Sequence, residues 1–192
     1  MNTQFRKMQK NHTSFRDKLA SFIDGEAGVS AIEFALVAPF LITLFLGFTE
    51  IARASQMSTL VSKVSSTVAD IISQSPKLSI AEVDAALQAA YAVAGTSAAD
   101  NMTVEVVGVT VFDNGTTQVS WARGVNSNNL PTVGSSYTLP SSLTSEAGFI
   151  VASRSFLLFQ PAFADALLGD FALETKNYYI PRSGSMTNCT DC

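Results

Sequence analysis

The sequence predicts an α+β protein: one very long N-terminal helix, membrane-spanning in its first half and amphipathic in its second, packed on a small, mainly antiparallel β-sheet head. Three observations carry this expectation. The uncharged run Phe34-Ala-Leu-Val-Ala-Pro-Phe-Leu-Ile-Thr-Leu-Phe-Leu-Gly-Phe-Thr49 continues into apolar residues at helical spacing. Alternating valines follow Met102, and Asp113-Asn114-Gly115 offers a tight hairpin turn between two strand-like stretches. A chain of 192 residues holds one anchor and one head of ordinary size, and 47% apolar against 15% charged residues suits a chain with a single lipid-embedded segment.

Residues 1–28 carry five basic side chains (Arg6, Lys7, Lys10, Arg16, Lys18) against three acids (Asp17, Asp24, Glu26), so the leader is net positive. The rest of the chain holds seven basic and thirteen acidic residues without a basic stripe, which argues against a nucleic-acid partner. The apolar segment is expected from Val29 to Ile51. Its uncharged core of 16 residues reaches only about 24 Å at about 1.5 Å per residue, so a full span draws in Val29 to Ile32 and brings Glu33 into or near the bilayer.

Three readings of this junction compete. A secretory signal peptide fits poorly, because the leader is long and contains three acids, and because Glu50 and Arg53 intervene after Phe48 where a small-residue cleavage site belongs. An uncleaved signal anchor gives a cytoplasmic N-terminus by the positive-inside tendency but leaves Glu33 unexplained. The third takes Gly28-Val29 as a cleavage point, making Val29 the new N-terminus and Glu33 the fifth residue. A carboxylate in hydrocarbon is expensive unless paired, and the exposed ammonium of a neighbouring subunit would pair it and set axial register between stacked helices.

Gly28-Val-Ser-Ala-Ile-Glu33-Phe34-Ala-Leu-Val-Ala-Pro39-Phe resembles the start of TadE-like proteins, the pseudopilins of the tight-adherence (Flp pilus) system. The resemblance is close over residues 25–53 and looser at Val119-Ser-Trp-Ala-Arg123, Leu139-Pro140 and Tyr178-Tyr-Ile-Pro-Arg182. It implies a pilin-like spine, cleavage after Gly28 by a prepilin peptidase, and an assembly role for Glu33 with Phe34 beside it. It also implies partners: the major Flp-type pilin, other pseudopilins such as TadF-like proteins, and an inner-membrane platform. The head would then be periplasmic and the protein single-pass in a bacterial inner membrane.

Beyond the anchor, Met57, Leu60 or Val61, Val64, Val68 and Ile71 or Ile72 recur at helical spacing, with Ser55, Ser58, Ser62, Lys63, Ser65 and Ser66 on the other side. Ser75-Pro76 ends this helix, giving roughly Ser30 to Gln74, with a kink expected at Pro39 and room for neighbouring helices at Thr43 and Gly47. Ser79-Ile-Ala-Glu82 is a capping box opening a second helix, about Ile80 to Ala94, with Ile80, Val83, Leu87 and Tyr91 on one face and Gly95 ending it. Met102, Val104 and Val106 alternate, then Val107, Val109 and Val111 take the opposite phase, so a bulge is expected near Val107-Gly108. The hairpin leads into Thr116 to Arg123, with Val119 and Trp121 facing the same way. Gly124 to Gly148 is expected as a long surface loop, followed by strands Phe149 to Phe159 and Phe171 to Ile180 with a short connection around Pro161 to Gly169. The head thus spans 52–192, with 183–192 as a flexible tail.

Little catalytic chemistry is suggested. His12, the lone histidine, falls in the leader, so no His-based catalytic triad or metal site survives cleavage, and no phosphate loop or zinc-type cluster is present. Asp165 and Asp170 are expected as loop or cap residues. Neither a cofactor nor a small-molecule substrate is implied. Cys189 and Cys192 form a C-x-x-C pair; two thiolates do not complete a zinc site, and in an oxidising periplasm the expected state is a local disulfide closing a tiny loop, with free or intermolecular thiols as the alternatives. The function expected is structural, in pilus assembly. The alternative is an uncleaved, membrane-anchored periplasmic interaction module.

Overall fold

A computed structural model of the chain describes residues 26–95, 101–163, 169–182, 188, 189 and 191. Most of the leader lies outside the described residues, as do Asp165, Cys192 and residues 183–187 of the expected tail. The chain divides into two compact units, Met1–Phe48 and Thr49–Cys192.

Helix α1 runs Glu26–Ser73 without interruption and contains Pro39. Proline has no amide to give the preceding turn; one turn on, the Thr43 hydroxyl donates to the Pro39 carbonyl at 2.8 Å. In the first unit the large apolar side chains of α1 lie on the outside, Phe34, Leu36, Phe40 and Phe45 among them.

In the second unit, Val61, Val64, Val68 and Ile72 of α1 are fully buried at intervals of three and four residues. Each such side chain removed from water contributes about 1.5–3 kcal/mol. The sequence alternatives resolve in favour of Val61 and Ile72, while Ile71 is 38% exposed. Ser65, expected on the polar side, is buried instead, its hydroxyl donating to the Ser153 carbonyl at 3.2 Å and lying 3.2 Å from the Ser153 hydroxyl. Facing serines let helix and sheet approach closely, and the hydrogen bonds remove the penalty of burying them.

Helix α2 (Ile80–Ala94) starts at the expected capping box: Ser79 accepts from the Glu82 amide, and the Glu82 carboxylate accepts from the Ser79 amide at 2.8 Å. Gly95 ends the helix at φ 74°. Val83, Ala86, Leu87 and Ala90 are buried, with Ile80 and Tyr91 packed at the margin.

The sheet has order β3-β2-β4-β5, all antiparallel, from β2 (Met102–Val111), β3 (Thr117–Val125), β4 (Gly148–Phe159) and β5 (Phe171–Tyr179). The hairpin turn forms as expected: the Gly115 amide donates to the Phe112 carbonyl at 2.9 Å, and Gly115 takes φ 76°. An irregularity does occur beside the expected place, between Gly108 and Val109 in the pairing with β3, but β2 itself carries no extra residue. Strand β2 keeps an unbroken register with β4 from Met102 to Val111, and both its faces are buried. Met102, Val104 and Val106 join the helix-facing core, while Val107 and Val109 join a second cluster with Val119 and Ala152. Two buried faces look like a change of phase in sequence. The irregularity lies on β3, where Gly108 pairs with Trp121 but Val109 pairs with Val119, leaving Ser120 extra. Consequently Val119 and Trp121, expected on one face, belong to opposite cores.

The segment expected as a long surface loop is folded onto the sheet. Residues 134 and 135 exchange hydrogen bonds of 2.8 Å with both backbone groups of Val119, covering the outer edge of β3, and Tyr137 and Leu139 pack on the second cluster. Burial pushes the Tyr137 phenol pKa up. Three residues of the expected tail dock: β6 (Asn188–Cys189) pairs in parallel with β1 (Lys77–Leu78), Cys189 is buried, and Asp191 Oδ1 accepts from the Ile80 amide at 2.7 Å.

Trp121 lies across Gly108, where an added Cβ would come 2.3 Å from Trp121 Nε1, 2.4 Å from Cε2 and 2.7 Å from Phe149 Cζ. Gly108→Ala is therefore expected to destabilise the head by about 1–3 kcal/mol. The check is the urea midpoint of the full chain in detergent, followed by Trp121 fluorescence; an unchanged midpoint would contradict this packing.

Candidate functional site

Gly28, Val29, Glu33 and Phe34 lie within two turns of α1. Val29 and Glu33 are four residues apart and therefore stack on one side of the helix. Glu33 is exposed among Val29, Ile32 and Phe34, each more than half exposed, and it makes no hydrogen bond or ion pair with any described residue. An isolated carboxylate on an apolar helix surface is satisfied only by water or by a cation from elsewhere.

A second acid, which in sequence reads only as an obstacle to signal-peptide cleavage, is placed differently by the fold. Glu50 directly follows the uncharged run, yet it is 4% exposed. Its Oε1 accepts from the backbone amides of Ala162 at 2.6 Å and Phe163 at 2.7 Å, and its Oε2 pairs with Arg53 at 3.0 Å. The Arg53 guanidinium lies 5.7 Å from the centre of the Phe159 ring, which packs 5.1 Å from Phe171. Glu50 thus ties the exit of β4 to α1. The sequence signal for it is an acid and a base three residues apart immediately after an apolar run.

The sheet face away from the helices carries a charged row. Arg154 bonds Glu174 at 2.9 Å and Glu105 at 3.3 Å, Lys176 reaches Glu174 at 3.2 Å, and Ser127 donates to Glu105 at 2.5 Å. The hydrogen bond from Arg154 holds the Glu174 pKa below the usual carboxylate range. This row crosses three strands in a closed set of partners, a description that fits a structural role.

Cys189 is disulfide-bonded; the chain's other cysteine, Cys192, lies outside the described residues. Among the described residues no group of three or more His, Cys, Asp or Glu is placed to hold a metal ion.

Taken together, α1 is long and apolar enough to cross a membrane by length and composition, and it continues into an α+β head: the architecture of a pilin-like protein with a candidate single-pass anchor. The family model described as TadE-like protein matches residues 28–70, so the resemblance noted in the sequence holds over the stretch that begins at Gly28 and includes Glu33 and Glu50. TadE-like proteins are structural components of the Tad pilus. The looser likenesses around Trp121, Leu139 and Tyr178 lie outside the matched span. No curated protein and no solved structure matches the chain.

Glu50→Ala would leave two amides and Arg53 without their buried acceptor, and a loss of about 1–3 kcal/mol is expected. Faster amide exchange at residues 162 and 163 would locate the effect, and Glu50→Gln, which keeps an acceptor oxygen, is expected to lose less. For Glu174 the folded pKa is the lower one, so its contribution is present above about pH 4.3 and fades as pH falls through the folded value. Glu174→Gln should accordingly flatten the fall in unfolding midpoint between about pH 5 and pH 3; parallel curves for both proteins would refute this.

Proposed function

We propose that this chain is a minor pseudopilin acting in assembly of a tight-adherence, Flp-type pilus, and that it does not act as an enzyme. The observation that carries the proposal is the TadE-like match beginning at Gly28, with Glu33 the one charged side chain on the turns that follow as far as Thr49. A prepilin peptidase cuts between Gly28 and Val29 on the cytoplasmic side. The new ammonium at Val29 then becomes available to the Glu33 of a neighbouring subunit, with Phe34 packing beside it.

The physical logic is a choice between two locations for one charge. In lipid alone, Glu33 at the level of the apolar run is unfavourable by a few kcal/mol or more. Beside an ammonium in a bundle of like helices it gains a charge-assisted hydrogen bond in a medium of low dielectric. The unpaired state is thus the less stable one, and assembly is favoured in the single axial register that brings the two charges together. In this proposal the partners are the major Flp-type pilin, other pseudopilins and an inner-membrane platform. The head stands in the periplasm, where Cys189 and Cys192 form the local disulfide.

The N-terminal residue of the protein recovered from cells containing a prepilin peptidase is expected to be Val29, measured by intact mass and N-terminal sequencing. Recovery of the chain starting at Met1 would favour the uncleaved interaction module. Glu33→Gln is expected to abolish piliation while leaving membrane insertion intact, measured by electron microscopy of pili and carbonate extraction of membranes. Normal piliation in that variant would remove Glu33 from the mechanism.

A further inference from the structure

The connection leaving β4 contains a feature that the assembly role does not use. Pro161 is buried, but Phe163 is 64% exposed. Its backbone is not free to swing inward, because Ala162 and Phe163 both donate their amides to Glu50 on α1. Glu50 immediately follows the uncharged run ending at Thr49, and the next residue on the helix, Ile51, is 67% exposed. If residues 34–49 lie in hydrocarbon, the Glu50 carboxylate marks the level at which α1 leaves it, and Phe163 is held beside the helix at that level.

We propose that the Pro161–Phe163 turn is an interfacial foot: the Phe163 ring enters the headgroup–acyl boundary of the bilayer from which α1 emerges. The proposal rests on the anchor reading of α1 and adds a second, separate lipid contact. Three properties of the turn suit lipid. An aromatic or large apolar side chain is favoured at this boundary. Backbone amides near hydrocarbon need partners within the protein, and Glu50 supplies one to each of two consecutive residues. The carboxylate is itself satisfied by these amides and by Arg53, whose side chain is 46% exposed and long enough to carry its charge towards the headgroups. The foot would restrain the tilt of the head against the bilayer surface, since one contact at the helix and one beside it define a plane.

The test uses the full chain in liposomes of phosphatidylcholine and phosphatidylglycerol containing brominated acyl chains, with single tryptophans added. Trp121, 1% exposed in the core, gives a constant background. Trp emission added by Phe163→Trp should be mostly lost with lipids brominated near the glycerol end of the chain, and less with lipids brominated near the methyl end. Phe40→Trp, within the apolar run, should be quenched chiefly by the deep label, and Val133→Trp, exposed on the head, by neither. If Phe40→Trp is quenched while Phe163→Trp behaves like Val133→Trp, the foot is refuted and the anchor stands. If neither Phe40→Trp nor Phe163→Trp is quenched, the anchor reading fails and the foot with it. A blue-shifted Phe163→Trp that resists both lipids would mean that a protein surface covers the ring, which also overturns the proposal. Adding Glu50→Ala to Phe163→Trp should relieve the shallow quenching; unchanged quenching would show that Glu50 does not hold the foot.

Discussion

The contact on which the head depends is the burial of Val61, Val64, Val68 and Ile72 of α1 against one face of β2 and β4. A four-stranded sheet leaves two faces to cover, and a helix provides the cheaper cover because its own backbone is already hydrogen-bonded. Small residues decide how near it comes. Ser65 meets Ser153 through hydrogen bonds, and Gly108 leaves space on the same sheet face for the Trp121 indole. The second face is covered differently, by a loop with Tyr137 and Leu139 rather than by a helix.

A division of labour along α1 follows. The same helix is apolar all round in one stretch and apolar on one stripe in the next, which are the signatures of two different solvents. Glu50 stands at the change. In sequence it looks like the first polar residue after an apolar run, as at the end of any anchor; in the fold it is a buried acceptor for two amides more than a hundred residues away. Glu33 has the complementary character, an exposed acid with no partner in its own chain among the described residues. One carboxylate ties two elements of the head together, and the other stands alone on the helix surface among the described residues.

Local signals carried most of the fold. The capping box at Ser79 and Glu82, the Asn114-Gly115 turn, the proline after α1 and the helical stripe each depend on neighbours in sequence, and each element formed close to where those signals lie. Non-local features were not visible in the same way. Valines on both faces of β2 imitate a phase shift because alternation reports burial on one face only. Ser65 looks polar-facing until its partner on β4 is known. The loop over the second cluster has turn-rich composition, and only the exposed apolar face beneath it explains why it docks. Around Gly28 the sequence was informative because the motif is contiguous, whereas the role of Glu50 required knowing where β4 ends.

The pairing of β6 with β1 has a temporal consequence. Lys77 and Leu78 follow the end of α1 closely, but their partners are Asn188 and Cys189, and the amide that opens α2 is held by Asp191 across a separation of 111 residues. Such distant contacts form late because chain entropy must be lost before they gain anything. The segment between α1 and α2 therefore stays without these partners until residues 188, 189 and 191 reach it. The short strand between α1 and α2 is thus completed by the residues furthest from it in the head, and removing Asn188 and Cys189 would leave Lys77 and Leu78 without their strand partner.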